Sequence, residues 1–162
     1  MSLPNALSIA TFARSNIETL LKDFPASRWT HQPSPTDNHA LWTVGHLAST
    51  DAWLGSVLGA AGVSMPEGYD KLFGMGSKPL ADAKAYPAPE SVLAVMRANR
   101  AAILDWFAKA SPADLSRSLA DKTGGFMTDP ADGLVKLAWH DGWHGGQLAG
   151  IRKSLSLPNV FG

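Results

Sequence analysis

Trp139-His140-Asp141-Gly142-Trp143-His144-Gly145-Gly146-Gln147 carries two histidines four residues apart within a run of helical periodicity. At 3.6 residues per turn this spacing leaves the imidazoles about 40° apart around the axis and about 6 Å apart along it, so both can point at one ion. Leu137, His140, His144, Gln147 and Ile151 share one face of a helix predicted over 130–155, opened by Asp129-Pro130. Gly142, Gly145, Gly146 and Gly150 lie mostly off that face. Each costs a helix roughly 1 kcal/mol relative to alanine, so close packing against a neighbouring helix is the expected compensation.

A third histidine, His46, sits in Leu41-Trp42-Thr43-Val44-Gly45-His46-Leu47, inside a helix predicted over 39–61 and stopped at Gly62. On that helix Trp42, Thr50, Trp53 and Val57 fall within about 40° of His46, which therefore turns inward. Two imidazoles from one helix and one from another make a three-nitrogen set with a coordination position left open, the pattern of catalytic rather than structural zinc. Nitrogen donors of this kind also accept nickel and iron. The competing reading is three ordinary core or surface histidines. His39 stands close to a helix start and reads as a surface or capping residue, and His31 has no assigned role.

Two further helices complete the pattern. One is predicted over 4–22, from Ala6, Ile9, Ala10, Ala13, Ile17, Leu20 and Leu21 at threes and fours, and another over 89–110, with Val92, Leu93, Met96, Ile103, Leu104 and Phe107 on one stripe. Arg100 lies inside that last stripe, aiming a cation at the core without an obvious partner; a buried ion pair, snorkelling, or recognition of a substrate carboxylate are its candidate roles. The 63–89 connection is long for a compact domain and reads as a packed flap, through Tyr69, Leu72, Phe73 and Met75. No strand-like alternation and no internal repeat interrupt the helices. The expected architecture is all-α, a four-helix bundle with long connections, as a single domain over 1–162.

Composition narrows the function classes. Lysine plus arginine balances aspartate plus glutamate at 14 each, without a basic block, so nucleic acid is not an expected partner. The absence of cysteine removes a thiolate zinc site and a cysteine nucleophile; sulfur chemistry would need an external thiol. No apolar run approaches the ~18 residues of a membrane span and no leader pattern opens the chain, which predicts a soluble, cytoplasmic protein that binds no membrane.

Several templates fail. A di-iron carboxylate bundle needs Glu-x-x-His, and Glu18, Glu67 and Glu90 have no histidine three residues on. A zincin needs a glutamate beside the first histidine; here Asp141 occupies that place, about 100° off the ligand stripe, which suits a supporting contact or a surface salt bridge. No Gly-x-Ser-x-Gly nucleophile elbow is present. The tryptophans at 42, 53, 139 and 143 are expected in the core, with Trp42 and Trp53 also able to wall a metal pocket.

The segments 41–47 and 139–148, together with the closing residues 151–162, resemble the DinB-like family of metal-binding four-helix bundles, which includes YfiT-type proteins classed as metal-dependent hydrolases. The resemblance implies a bundle with a long crossover connection, one divalent zinc, nickel or iron ion held by His46, His140 and His144, and often a homodimer. It also implies activities in which a low-molecular-weight thiol joins an electrophile.

The expected function is therefore a metal-dependent thiol transferase or hydrolase acting on a small electrophilic substrate, with metal-bound water or an external thiol as the reacting group. The loops 63–89 and 123–127 would shape the substrate pocket. Gln147 would orient a ligand or the substrate, and Asp141, Trp42, Thr50, Trp53 and Arg100 are the other candidate contacts. The alternative is a non-catalytic module, stabilised by metal or binding a small molecule.

Overall fold

The computed structural model describes residues 2–161. They form α1 (Leu3–Leu21), α2 (Ala40–Leu58), α3 (Tyr69–Phe73), α4 (Pro89–Lys109), α5 (Pro112–Ser116), α6 (Ala120–Thr123) and α7 (Pro130–Ser154), with no strand among the described residues. Helices α1, α2, α4 and α7 are the four long ones. Proline opens α1, α4 and α7 within the first turn, where a missing N–H costs nothing. Asp129 caps α7 by accepting from the Asp132 N–H at 2.9 Å. His39 caps α2, its Nδ1 accepting from the Trp42 N–H at 3.0 Å, while its Nε2 donates to the Leu80 carbonyl at 3.1 Å. It is fully buried, so the capping role holds and the surface position does not. Helix α2 ends earlier than expected, because Gly59, ahead of Gly62, already takes a left-handed conformation at φ 72°, and the N–H groups of Gly59 and Ala60 turn back to Ser56 and Gly55.

Side-chain pairings give the helix directions. His46 meets His140 and His144 while Leu54 lies beside Gly133, so α2 and α7 are antiparallel. Asn99 bonds the Ala48 carbonyl, and Ile103 and Phe107 pack among Leu54, Val57 and Leu58, so α2 and α4 are parallel. Arg14 reaches Asp141, and Arg152 donates to the Leu20 carbonyl, so α1 and α7 are parallel. Arg97 pairs with Glu18 and closes the ring between α1 and α4. Two successive long helices pointing the same way need a connection that travels back along the bundle. Residues 59–88 provide it, and α3 lies within them.

The core is divided in two. One apolar cluster holds Ile17, Leu20, Leu41, Trp42, Phe73 and Met96 among others, and the second holds Ala10, Leu54, Ile103, Phe107, Leu134 and Leu137. Between them each long helix contributes one ion: Arg14 from α1, Asp51 from α2, Arg100 from α4 and Asp141 from α7. Arg14 forms ion pairs with Asp51 at 3.1 Å and Asp141 at 2.8 Å; Arg100 forms ion pairs with Asp51 at 2.8 Å and Asp141 at 3.1 Å. Both aspartates are essentially inaccessible, at 0% and 1% exposure. Two cations and two anions cancel, and each charge finds two partners, the condition under which buried ions are tolerated. This polar waist answers the question of Arg100, whose carboxylates come from its own chain. It also moves Asp141 from the suggested surface position to the centre of the bundle.

Two other expectations need correction. Of the tryptophans at 42, 53, 139 and 143, only Trp42 is buried; Trp53 is 42% exposed, Trp139 58% and Trp143 61%. They stand on outward faces of α2 and α7, where helical periodicity does not distinguish an apolar outer residue from an inner one. Nor do the glycines of α7 all mark close helix packing. A Cβ at Gly142, Gly146 or Gly150 would meet nothing within 4 Å, and at Gly145 only ordinary contacts with Ile17 and Leu20. Gly45 is different, because a methyl there would fall inside the Phe73 ring. Opposite effects are therefore expected: Gly146→Ala stabilises by roughly 0.5–1 kcal/mol through helix propensity, whereas Gly45→Ala destabilises by about 1–3 kcal/mol through overpacking. Urea midpoints of the two variants against wild type check both signs.

Among the described residues no helix is long and apolar enough to cross a membrane.

Candidate metal centre

Helices α2 and α7 bring His46, His140 and His144 to one point, with ligand-capable atoms all within 4.8 Å of one another. The Nε2 atoms face each other: His140 to His46 at 3.3 Å and His140 to His144 at 3.1 Å. The remaining ring nitrogens decide what those atoms carry. His46 Nδ1 donates to the Phe73 carbonyl at 2.8 Å, and a carbonyl can only accept, so the His46 Nε2 of the neutral ring presents a lone pair. His144 Nδ1 donates in the same way to Gln147 Oε1 at 2.8 Å. Asn38 Nδ2 donates to that same oxygen at 3.0 Å, so the Gln147 amide turns its oxygen towards both donors. Trp42 stacks on His46 with centroids 4.6 Å apart and planes 12° apart, and its indole N–H is held by Ser77 Oγ at 3.0 Å. The His46 ring is thus fixed by α3 through Phe73 and by Trp42 on its face. Gly45 is what lets the Phe73 ring come so close.

Electrostatics keep the three rings neutral. Burial is the main cause; it pushes His140 down to about 3 and His144 down to about 4, and it lowers His46 as well. Repulsion from the neighbouring imidazoles adds to this at His140, where Asp51 and Arg14 of the polar waist act in opposite senses. A pH dependence of stability follows for chelator-treated protein. Below about pH 6.5 the unfolded chain binds protons that the folded imidazoles refuse, His39 included, which burial holds at about 4. Stability is therefore full above about pH 6.5 and falls as the pH drops towards 4. Thermal unfolding between pH 7.5 and 4.5 checks this, and a flat profile would contradict it.

The donor set fits a divalent transition metal. Two imidazole nitrogens each about 2.1 Å from a common tetrahedral ion lie about 3.4 Å apart, close to the separations found here. Two lone pairs are already directed inward, and a third ring cannot satisfy both by donating one proton. His140 Nδ1 is buried without a hydrogen-bond partner, so nothing in the structure holds its proton on that side. His46, His140 and His144 could thus hold a metal ion.

His46 and His140 also line an open cavity of about 800 Å³. It runs along the α2–α7 seam, past Thr50 and Trp53 on one side and Lys136 and Trp139 on the other. Met65, Gly74 and Met75 from the crossover connection and Thr123, Phe126 and Met127 from the second loop close its flanks, as expected for segments 63–89 and 123–127. Of the residues singled out in the sequence, Gln147 and Trp42 touch the histidines, and Thr50 and Trp53 line the cavity. Asp141 and Arg100 do neither, being spent on the waist. The Phe73 carbonyl and Asn38 were missed: a main-chain oxygen carries no residue signature, and Asn38 lies in a turn-rich stretch where asparagine needs no special explanation.

An all-helical bundle with three converging imidazoles, two of them lining an accessible cavity, defines a candidate helical metalloprotein. The family model of the DinB superfamily matches residues 10–148, a span that includes all three histidines, and the chain belongs to that superfamily. No curated protein and no solved structure matches it.

Proposed function

We propose that this protein is a metal-dependent enzyme that activates a low-molecular-weight thiol, or water, for attack on a small electrophile. The observation that carries the reading is the convergence of three imidazoles, two of which line a cavity large enough for a substrate. His46, His140 and His144 would hold the ion. A zinc, nickel or iron ion bound there supplies Lewis acidity, which lowers the pKa of a thiol or water. The rest is done by the chain itself. The Phe73 carbonyl and Gln147 keep protons on the Nδ1 atoms, so that the lone pairs face inward. Trp42 prevents His46 from turning. Trp53, Phe126 and Trp139 offer apolar surface against which a substrate body excludes water.

Three protein donors favour catalysis over a purely structural site, which is usually closed by four. The test has two stages: metal content of untagged protein by plasma mass spectrometry, then turnover of the loaded protein with several thiols and an epoxide or a chlorinated aromatic. Near-stoichiometric metal with turnover supports the reading. Tight binding of metal without turnover across that panel overturns the enzyme and leaves a metal-stabilised binding module. Protein that cannot be loaded overturns both.

A further inference from the structure

We infer that the walls of the cavity, apart from any ion held by the histidines, favour a ligand with a flat apolar body and disfavour an anionic group, and that Asp70 enforces the charge preference. This rests on the cavity being the substrate site.

Shape and surface point to the apolar body. Trp53, Phe126 and Trp139 are all partly exposed around the cavity, a cost in water that is recovered when a ligand covers them. Met65 and Met75 add polarisable, adaptable side chains. Such a wall binds planar hydrocarbon without needing a particular outline.

The charge preference comes from how the polar wall residues are already used. Thr50 donates its hydroxyl hydrogen to the His46 carbonyl at 3.0 Å, and Thr123 donates to Leu119 at 2.9 Å while accepting from the Met127 N–H. Lys136 donates to Asp132 at 2.7 Å and to the Phe126 carbonyl, and lies 4.9 Å from the Phe126 ring centroid. Its positive charge is therefore answered by Asp132. Ser49 keeps the one uncommitted hydroxyl of the lining. Asp70 is the exception among the charges lining the cavity, since its carboxylate has neither a hydrogen bond nor an ion pair among the described residues. In the metal-free chain a carboxylate or phosphate entering this cavity would lose water, find few donors and meet a like charge. A neutral ring loses nothing of the kind, and an ammonium group gains a partner.

The test uses the full chain after chelation, so the result does not depend on any metal. Calorimetric titration at low salt with 2-naphthalenemethanol, 2-naphthylmethylammonium and 2-naphthoate holds the ring constant and changes only the charge. The alcohol and the ammonium are expected to bind, and the carboxylate at least about tenfold more weakly, a modest ratio because Asp70 is exposed to screening. Asp70→Asn is expected to narrow the gap between alcohol and carboxylate, and Trp53→Ala to weaken all three. Equal affinity for alcohol and carboxylate, a gap that Asp70→Asn leaves intact, or no binding of any of the three overturns the inference. Failure of the metal reading registers separately, as an empty histidine site in the metal assay.

Discussion

His46→Ala and His144→Ala are each expected to lower zinc affinity by about a thousandfold or more, enough to empty the site in protein purified beside metal-replete wild type. Partners that only orient a ligating histidine are worth about 10–100-fold in affinity, and removing the ligand itself must cost more. The same reasoning grades the supporting residues. Gln147→Leu deprives His144 Nδ1 of its acceptor and frees the ring to carry its proton on Nε2, so a loss of about 10–100-fold is expected. Asn38→Ala acts one step further out, on the Gln147 amide, and should fall below that. Competition titration against a chromophoric chelator gives the order directly. A His46→Ala protein that retains wild-type affinity would remove α2 from the site.

Asp51→Ala is expected to cost about 3–5 kcal/mol, the usual penalty for leaving a buried charge without its partner. Here two arginines lose a shared carboxylate at once, at the point where all four long helices meet. For a chain of this length that corresponds to a fall of roughly 10 °C or more in Tm. The companion experiment replaces Arg14, Asp51, Arg100 and Asp141 together with apolar residues of similar volume. That protein should recover most of the loss, because no ion is then stranded. If Asp51→Ala melts within a degree or two of wild type, the waist is wetter than its burial implies.

How much of this could be read in advance depended on the kind of signal. The long helices followed from apolar spacing, and the His140–His144 pair from the 3.6-residue turn, because both are properties of one local segment. Pairing that segment with His46 was inferable since both histidines occupy inward stripes. The waist was only half legible. Arg14, Asp51 and Arg100 each sit four residues after one core position and three before the next, as in Leu47-Asp51-Leu54 and Met96-Arg100-Ile103. Arg100 stood out for that reason, but a single charge in an apolar stripe does not say which other helix answers it. Asp141, next to His140, looked like part of the metal motif and turned out to serve the bundle. The end of α2 at Gly59 was missed because several glycines in a row can each stop a helix, and the choice is made by which carbonyls remain to be satisfied. Trp139 and Trp143 face outward for reasons that no single-helix pattern contains.

The order of the helices along the chain has a bearing on synthesis. His46 lies in the second helix to be made, but His140 and His144 lie in the last of the described helices, which must dock against both α1 and α2. A nascent chain that has produced α2 holds only one of the three converging imidazoles, too few to complete the site, until α7 has left the ribosome. Metal capture at this site is thereby tied to completion of the bundle, and a truncated product ending before α7 would carry the crossover and three of the four waist ions but only one of the three histidines.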